Sequence, residues 1–227
     1  MARRTLRKTK KSTPSLRLGE RFIRAVDYAR TLHIEARKGS GIPVMAHLLG
    51  VASLVMGETG HVVFPITEDM VIAALLHDAA EDHGGFLRLK DIDYNFGSDV
   101  ARMVKGLSDT LAENPNEKEP WEQRKQAYVE QLRREPDDVQ LISAADKLYN
   151  ARTILDDYRK IGPEVWARFK RGRDQQLWYF GALLEVFEQS RTNRIVEEFK
   201  RVVEDLTQIS AREATSGDSP KAARPRP

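Results

Sequence analysis

The sequence predicts an all-α protein, a single helical bundle of about eight to ten helices between disordered tails. Three observations carry that prediction. Apolar residues recur at helical spacing through most of the 227 residues, no segment alternates as a half-buried strand would, and Gly, Pro and cap residues fall between the periodic runs. A chain of this length can bury a sizeable core in one domain, which we place over residues 19–210, with tails over 1–18 and 211–227.

The elements follow in order. Phe22, Ile23, Val26, Ala29 and Leu32 repeat on one helical face. The loop ARKGSGIPV, Ala36 to Val44, interrupts the pattern with Gly39, Gly41 and Pro43, and a second helix then carries His47, Val51, Leu54 and Val55. Thr67 is placed to cap a third helix through Val71, Ala74 and Leu75, whose run continues into AALLHDAAEDHGG, Ala73 to Gly85. Ser98 is placed to cap a fourth, carrying Val100, Met103, Val104 and Leu107. Further helices are expected over Trp121 to Arg133, Asp137 to Asp156, Pro163 to Lys170, Asp174 to Glu188 and Asn193 to Ile209. The head, MARRTLRKTKKSTPSLRLG, has too little apolar content to offset its ordering entropy, and SGDSPKAARPRP at the other end is read the same way.

Composition excludes several classes of function. There is no cysteine, so any metal must be held by His, Asp or Glu. No apolar run approaches the roughly 18 residues of a membrane span, and no apolar leader opens the chain, so a soluble, cytoplasmic protein is expected. The formal charge of +3 misleads. Residues 1–18 carry seven Lys or Arg and no acid, and 212–227 carry four basic and two acidic groups, which leaves the span 19–211 at about −6. The basic head offers an electrostatic arm for RNA, but the body is acidic and no nucleic acid is required by it.

The end of AALLHDAAEDHGG poses the chemical question. On a continuous helix His77 shares a face with Glu81, and Asp78 with Asp82, so ionisable groups gather where the macrodipole is already negative. No Lys or Arg lies between Thr67 and Arg88 to offset them. A bound metal is one physical answer and fraying into a solvated loop is the other. His47 on the preceding helix, and Asp146 in the otherwise apolar stretch ISAADKLYNAR, complete a set of two imidazoles and two carboxylates. Such a mixed set suits Mn²⁺, Fe²⁺, Co²⁺ or Zn²⁺ rather than Ca²⁺.

The order His, His-Asp, Asp on successive helices resembles the HD superfamily of metal-dependent phosphohydrolases. More narrowly, RKGSGIPVMAH, AALLHDAAED, FGSDVARMVKGLSD and ISAADKLYNAR resemble the hydrolase domain of RelA/SpoT-type alarmone enzymes and the single-domain small alarmone hydrolases. The resemblance covers roughly residues 20–185 and implies an HD-domain bundle. It implies that His47, His77, Asp78 and Asp146 hold one metal, usually Mn²⁺ in that family, and that Glu81 and Asp82 orient or deprotonate the attacking water. It further implies that Arg37 and Lys38 meet the substrate's base and phosphates, and that Asn150 and Arg152 are nucleotide contacts. Val44 stands where the family commonly has Tyr, and Leu48 and Tyr149 depart from the Pro and His of the long bifunctional enzymes.

The implied reaction removes the 3′-pyrophosphate of guanosine penta- or tetraphosphate, a small-molecule nucleotide substrate. Two alternatives stay open: the same metal chemistry on another nucleotide or dinucleotide phosphate, and a non-catalytic nucleotide sensor or RNA-associated regulator. His33 reads as a helix-surface or supporting histidine, His61 as a loop residue and His83 as an exposed residue after the helix. Trp121, Trp166, Phe169, Trp178, Tyr179 and Phe180 read as core, and Lys105 and Arg124 as solvated helix cations.

Overall fold

The computed structural model describes residues 15–37, 39–189 and 193–216. Lys38, most of the basic head with its RNA expectation, and residues 217–227 lie outside the described residues. Within them the chain is all-α: ten α-helices and no strand, with a lone antiparallel bridge between Ala36 and Pro43.

Helix α1, Glu20–Leu32, buries Ala25 and Ala29, while Ile23, expected on its apolar face, is 60% exposed. Helix α2, Val44–Gly57, begins after Pro43, whose fixed φ of −54° suits a helix entrance, and turns His47, Leu48, Val51, Ala52 and Val55 inward. Helix α3, Glu68–Leu76, is the central element: every residue from Met70 to Leu76 is buried, as befits a helix apolar all round. Its N-terminus is capped as expected, Thr67 Oγ1 accepting from the Met70 N–H at 3.2 Å.

The helix does not continue smoothly through the polar residues. It stops at Leu76, turns at His77 and Asp78, and resumes as the short α4, Ala79–Asp82. His77 Nδ1 lies 2.8 Å from the Ala74 carbonyl, the acceptor that the Asp78 N–H would take in an unbroken helix. Both residues keep right-handed helical dihedrals, so the side chains after the break still point toward one region.

Helix α5, Gly85–Phe96, was not expected from the sequence, and α6, Ser98–Leu107, follows it. Ser98 does not cap α6. Gly97 stands at that position with φ of 92°, a value that glycine reaches without strain. Helices α7, Trp121–Leu132, and α8, Asp137–Ile161, come next. The latter runs five residues past its expected end before Gly162 stops it. Gly162–Arg168 is a 3-10 segment rather than an α-helix. Helix α9, Gly172–Gln189, and helix α10, Arg194–Ser216, complete the bundle, α10 outrunning its expected end at Ile209.

At 25 residues α8 is about 37 Å long, and it packs on α2, α3, α6, α9 and α10. It is therefore the spine against which the elements carrying His47, His77 and Asp78 are set. Tyr149 on α8 lies against Gly50 on α2, where a Cβ would fall 2.0 Å from the ring, so the absent side chain sets how closely the two helices approach. No helix among the described residues is long and apolar enough to cross a membrane.

Candidate functional site

Four side chains from three elements converge where α2, the α3–α4 break and α8 meet. His47 Nε2 lies 3.1 Å from His77 Nε2 and 3.2 Å from Asp146 Oδ1. Asp78 closes the group, 3.6 Å from His47 Nε2 and 3.3 Å from His77 Nε2, with Asp146 Oδ1 3.6 Å from His77 Nε2. His47, His77 and Asp146 are buried and the Asp78 side chain is one-third exposed. Each element contributes through a local cause: Pro43 starts the helix that carries His47, the ladder break presents His77 and Asp78 together, and Asp146 sits inward on the spine.

The donor set fits a divalent cation. A proton on His77 Nδ1 donates to the Ala74 carbonyl, which leaves the Nε2 lone pair facing His47. Two imidazole nitrogens 3.1 Å apart beside two carboxylates then make a buried group with excess negative charge. The titration directions express that excess. Burial opposes charge on His77, yet Asp78 and Asp146 hold its imidazole well above the ordinary range. Burial also opposes ionisation of the two aspartates. His77 and His47 nevertheless hold Asp78 far below its usual range, and Lys147 with the same histidines does so for Asp146. A metal held by these four residues would replace protons as the compensating charge.

His47, Asp78 and Asp146 of the cluster line a cavity of about 660 Å³, large enough for a nucleotide. Asp78, Glu81 and Asp82 line it together, so the break in the helix leaves the acidic residues in one place. Burial, followed by the charge of Asp109, pushes the Glu81 carboxyl up to about 7. Burial and then Asp78 raise Asp82. Glu81 Oε2 accepts from the Asp109 N–H at 3.3 Å. Asp109, with 2% of its side chain exposed, is gripped by Arg124 and by Lys125 at 2.6 Å. Burial opposes its ionisation, and those two cations keep it ionised below the usual carboxylate range.

Residues 25–177 match the HD domain. The chain belongs to the HD-domain family. A human guanosine-3′,5′-bis(diphosphate) 3′-pyrophosphohydrolase, MESH1, is 32% identical over 182 residues, 78% of this chain and 89% of that protein. The Listeria monocytogenes EGD-e protein lmo0812, known from a crystal structure, is 30% identical with a TM-score of 0.59, over 71% of this chain and 99% of that one. A metazoan SpoT orthologue described as hydrolysing ppGpp shares the fold at 24% identity and a TM-score of 0.63, over 87% of this chain and 97% of that one.

Within this HD domain the remaining candidates divide. Arg37 lines the cavity, with Nη2 2.5 Å from Asn150 Oδ1, its guanidinium 5.8 Å over the Tyr149 ring, and Nη1 buried without a partner. Asn150 links Arg37 to the cluster, its Nδ2 donating to Asp146 Oδ1 at 2.6 Å. Arg152 is not brought into the cavity: it pairs with Glu198 on α10. Residue 150 lies about 40° around the helix from Asp146 but residue 152 about 120°, which turns Arg152 onto the α10 side.

Sequence reading missed Asp109, Lys125 and Lys147. Lys147 Nζ lies 2.5 Å from Asp146 Oδ2, and although burial opposes its charge, Asp146 holds the ammonium well above the usual range. Arg124, read as a solvated cation, is 16% exposed and bound to Asp109. Of the aromatics read as core, Trp166, Tyr179 and Phe180 are buried, Trp178 is 41% exposed, and Trp121, Phe169, Tyr179 and Phe180 also line the cavity. His33 is 2% exposed, not a surface residue.

Proposed function

We propose that this chain, as one domain over residues 19–210, hydrolyses the 3′-pyrophosphate of guanosine penta- and tetraphosphate, giving GTP or GDP and pyrophosphate. The observation that carries the reading is the convergence of His47, His77, Asp78 and Asp146 beside a nucleotide-sized cavity lined by His47, Asp78 and Asp146 together with Glu81 and Asp82. The name of the human relative, which shares about a third of its residues with this chain, specifies the guanosine substrate. When bound, a divalent ion, Mn²⁺ on this reading, supplies Lewis acidity toward a phosphoryl oxygen and lowers the pKa of water.

The chain's own residues do the rest. Glu81, held near neutrality by burial and Asp109, accepts the proton of the attacking water, with Asp82 beside it as relay. Water oxygen bonds to the 3′-linked phosphorus, the bond from that phosphorus to the ribose oxygen breaks, and the proton returns to the ribose oxygen. Arg37, whose Nη1 has no protein acceptor, meets a phosphate oxygen, and Asn150 holds that guanidinium at the cavity wall. Trp121 and Phe169 offer faces for the base.

Incubation of Mn²⁺-loaded protein with a panel of guanosine and adenosine nucleotides, with pyrophosphate and orthophosphate release measured separately, tests the assignment. Pyrophosphate and GDP from guanosine tetraphosphate are expected. Orthophosphate as the only product, from any nucleotide in the panel, overturns the assignment.

A further inference from the structure

A second cluster of metal-ligating side chains stands at the same cavity, apart from the four residues above. His33 follows α1, Glu35 lies two residues on, and His83 ends α4. His33 Nδ1 is 3.2 Å from His83 Nε2 and 3.3 Å from Glu35 Oε1, and His83 Nε2 is 3.6 Å from the same Glu35 oxygen. Glu35 and His83 line the cavity, and His33 is buried behind them.

The geometry is triangular, and that decides what fits it. A proton on either nitrogen can point at one partner along one line. Here His33 Nδ1 has two neighbours at almost equal distance, and those neighbours are also close to each other. Three lone-pair atoms sharing one centre is the arrangement a cation bridges. With metal–nitrogen and metal–oxygen bonds of about 2.0–2.1 Å, the edge between two ligands of a tetrahedral site is about 3.3–3.4 Å. The three edges here span 3.2–3.6 Å, and the His47/His77/Asp78/Asp146 cluster has edges of 3.1–3.6 Å. The two imidazole planes diverge by 82°, so both can address one point from different sides. Each cluster also contains one histidine whose far ring nitrogen is buried without a partner, Nδ1 of His47 and Nε2 of His33.

The ligands are held in place before any ion arrives. The His33 N–H donates to the Ala29 carbonyl at 2.9 Å, the Glu35 carbonyl accepts from the Val44 N–H at 3.1 Å, and Arg88 Nε donates to the His83 carbonyl at 3.0 Å. Gly84, with φ of 105°, turns the chain immediately after His83.

We propose that His33, Glu35 and His83 form a second divalent-metal site at the cavity, separate from the one that the HD motif supplies. Two imidazoles and one carboxylate are the donors of a first-row transition ion such as Zn²⁺ or Co²⁺ rather than of Mg²⁺ or Ca²⁺. Any vertices the three ligands leave vacant are available to water or an anion from the cavity.

Equilibrium dialysis of the metal-stripped full chain against Zn²⁺, with bound metal measured per protein and Co²⁺ absorption as a second readout, tests the proposal. Two equivalents are expected for the native chain. One is expected for His83→Asn and for Glu35→Ala, the latter changing a half-exposed side chain and sparing the buried His33. One is also expected for the double variant His77→Ala/Asp78→Ala, which removes the other site, so loss of either site is read without reference to activity. A single equivalent in the native chain that His83→Asn and Glu35→Ala both retain overturns the proposal, and so does an unchanged two equivalents in both variants.

Discussion

Replacing Asp109 by Asn removes a charge that touches neither metal ligand nor substrate, and it should move the pH profile of hydrolysis. Glu81 stands at about 7 instead of 4.5, raised first by burial and next by Asp109, with Lys125 pulling the other way. Removal of the Asp109 charge should therefore lower the Glu81 pKa, each unit of that fall being worth about 1.4 kcal/mol. The sign is fixed twice over: Asn no longer disfavours the Glu81 carboxylate, and Arg124 and Lys125, released from Asp109, are left to Glu81. At a pH one unit below its pKa a base is about 10% ionised, and at its pKa 50%. Activity at pH 6 relative to pH 8 should thus rise in Asp109→Asn, by about fivefold for a fall of one unit. A bound cation moves both profiles to lower pH and preserves the difference between them. The assay is initial pyrophosphate release from pH 5.5 to 8.5, with bound metal quantified at each pH so that loss of metal is not read as protonation. An acid limb that stays in place, or moves upward, would refute Glu81 as the base tuned by Asp109.

Other consequences are read more simply. Arg152→Ala should leave turnover within about twofold and cost at most about 1 kcal/mol in denaturant unfolding, because its ion pair with Glu198 is more than a third exposed on both sides. A large rise in KM would return Arg152 to the substrate. Gly50→Ala sets a methyl 2.0 Å from the Tyr149 ring and should destabilise by about 1–3 kcal/mol, relieved by adding Tyr149→Ala; an unchanged Tm in the single variant contradicts the close-packed α2–α8 contact. Mn²⁺ at about 100 times its Kd should stabilise the native chain by about 2.7 kcal/mol and His77→Ala/Asp78→Ala by far less. Equal stabilisation of both would remove the metal from that cluster.

The helical architecture and the four clustered side chains were legible because both rest on local signals: helical spacing, and chemically unusual residues on apolar helices. Helix α5 was hidden because GFLRLKDIDYNF mixes its faces. Leu89, Ile92 and Phe96 are buried, but Phe86, Leu87 and Tyr94 are 49%, 60% and 90% exposed, which blurs the period. The break at His77 was illegible for a different reason, since it follows from one side chain capturing a backbone carbonyl. Asp109 lies in a loop and acquires its meaning from Arg124 and Lys125, 15 and 16 residues away. No spacing rule joins them. The His33, Glu35 and His83 cluster likewise unites residues separated by 50 positions, which only the fold brings together.

On the proposed function, His47, His77, Asp78 and Asp146 hold the ion on which hydrolysis depends. Metal-stripped chain titrated with Mn²⁺, with pyrophosphate release from guanosine tetraphosphate followed at each addition, tests it most directly. No turnover is expected at the start, then a rise that saturates as the site fills, and none at any Mn²⁺ concentration in Asp146→Asn. Full turnover by the stripped chain in excess chelator would contradict it.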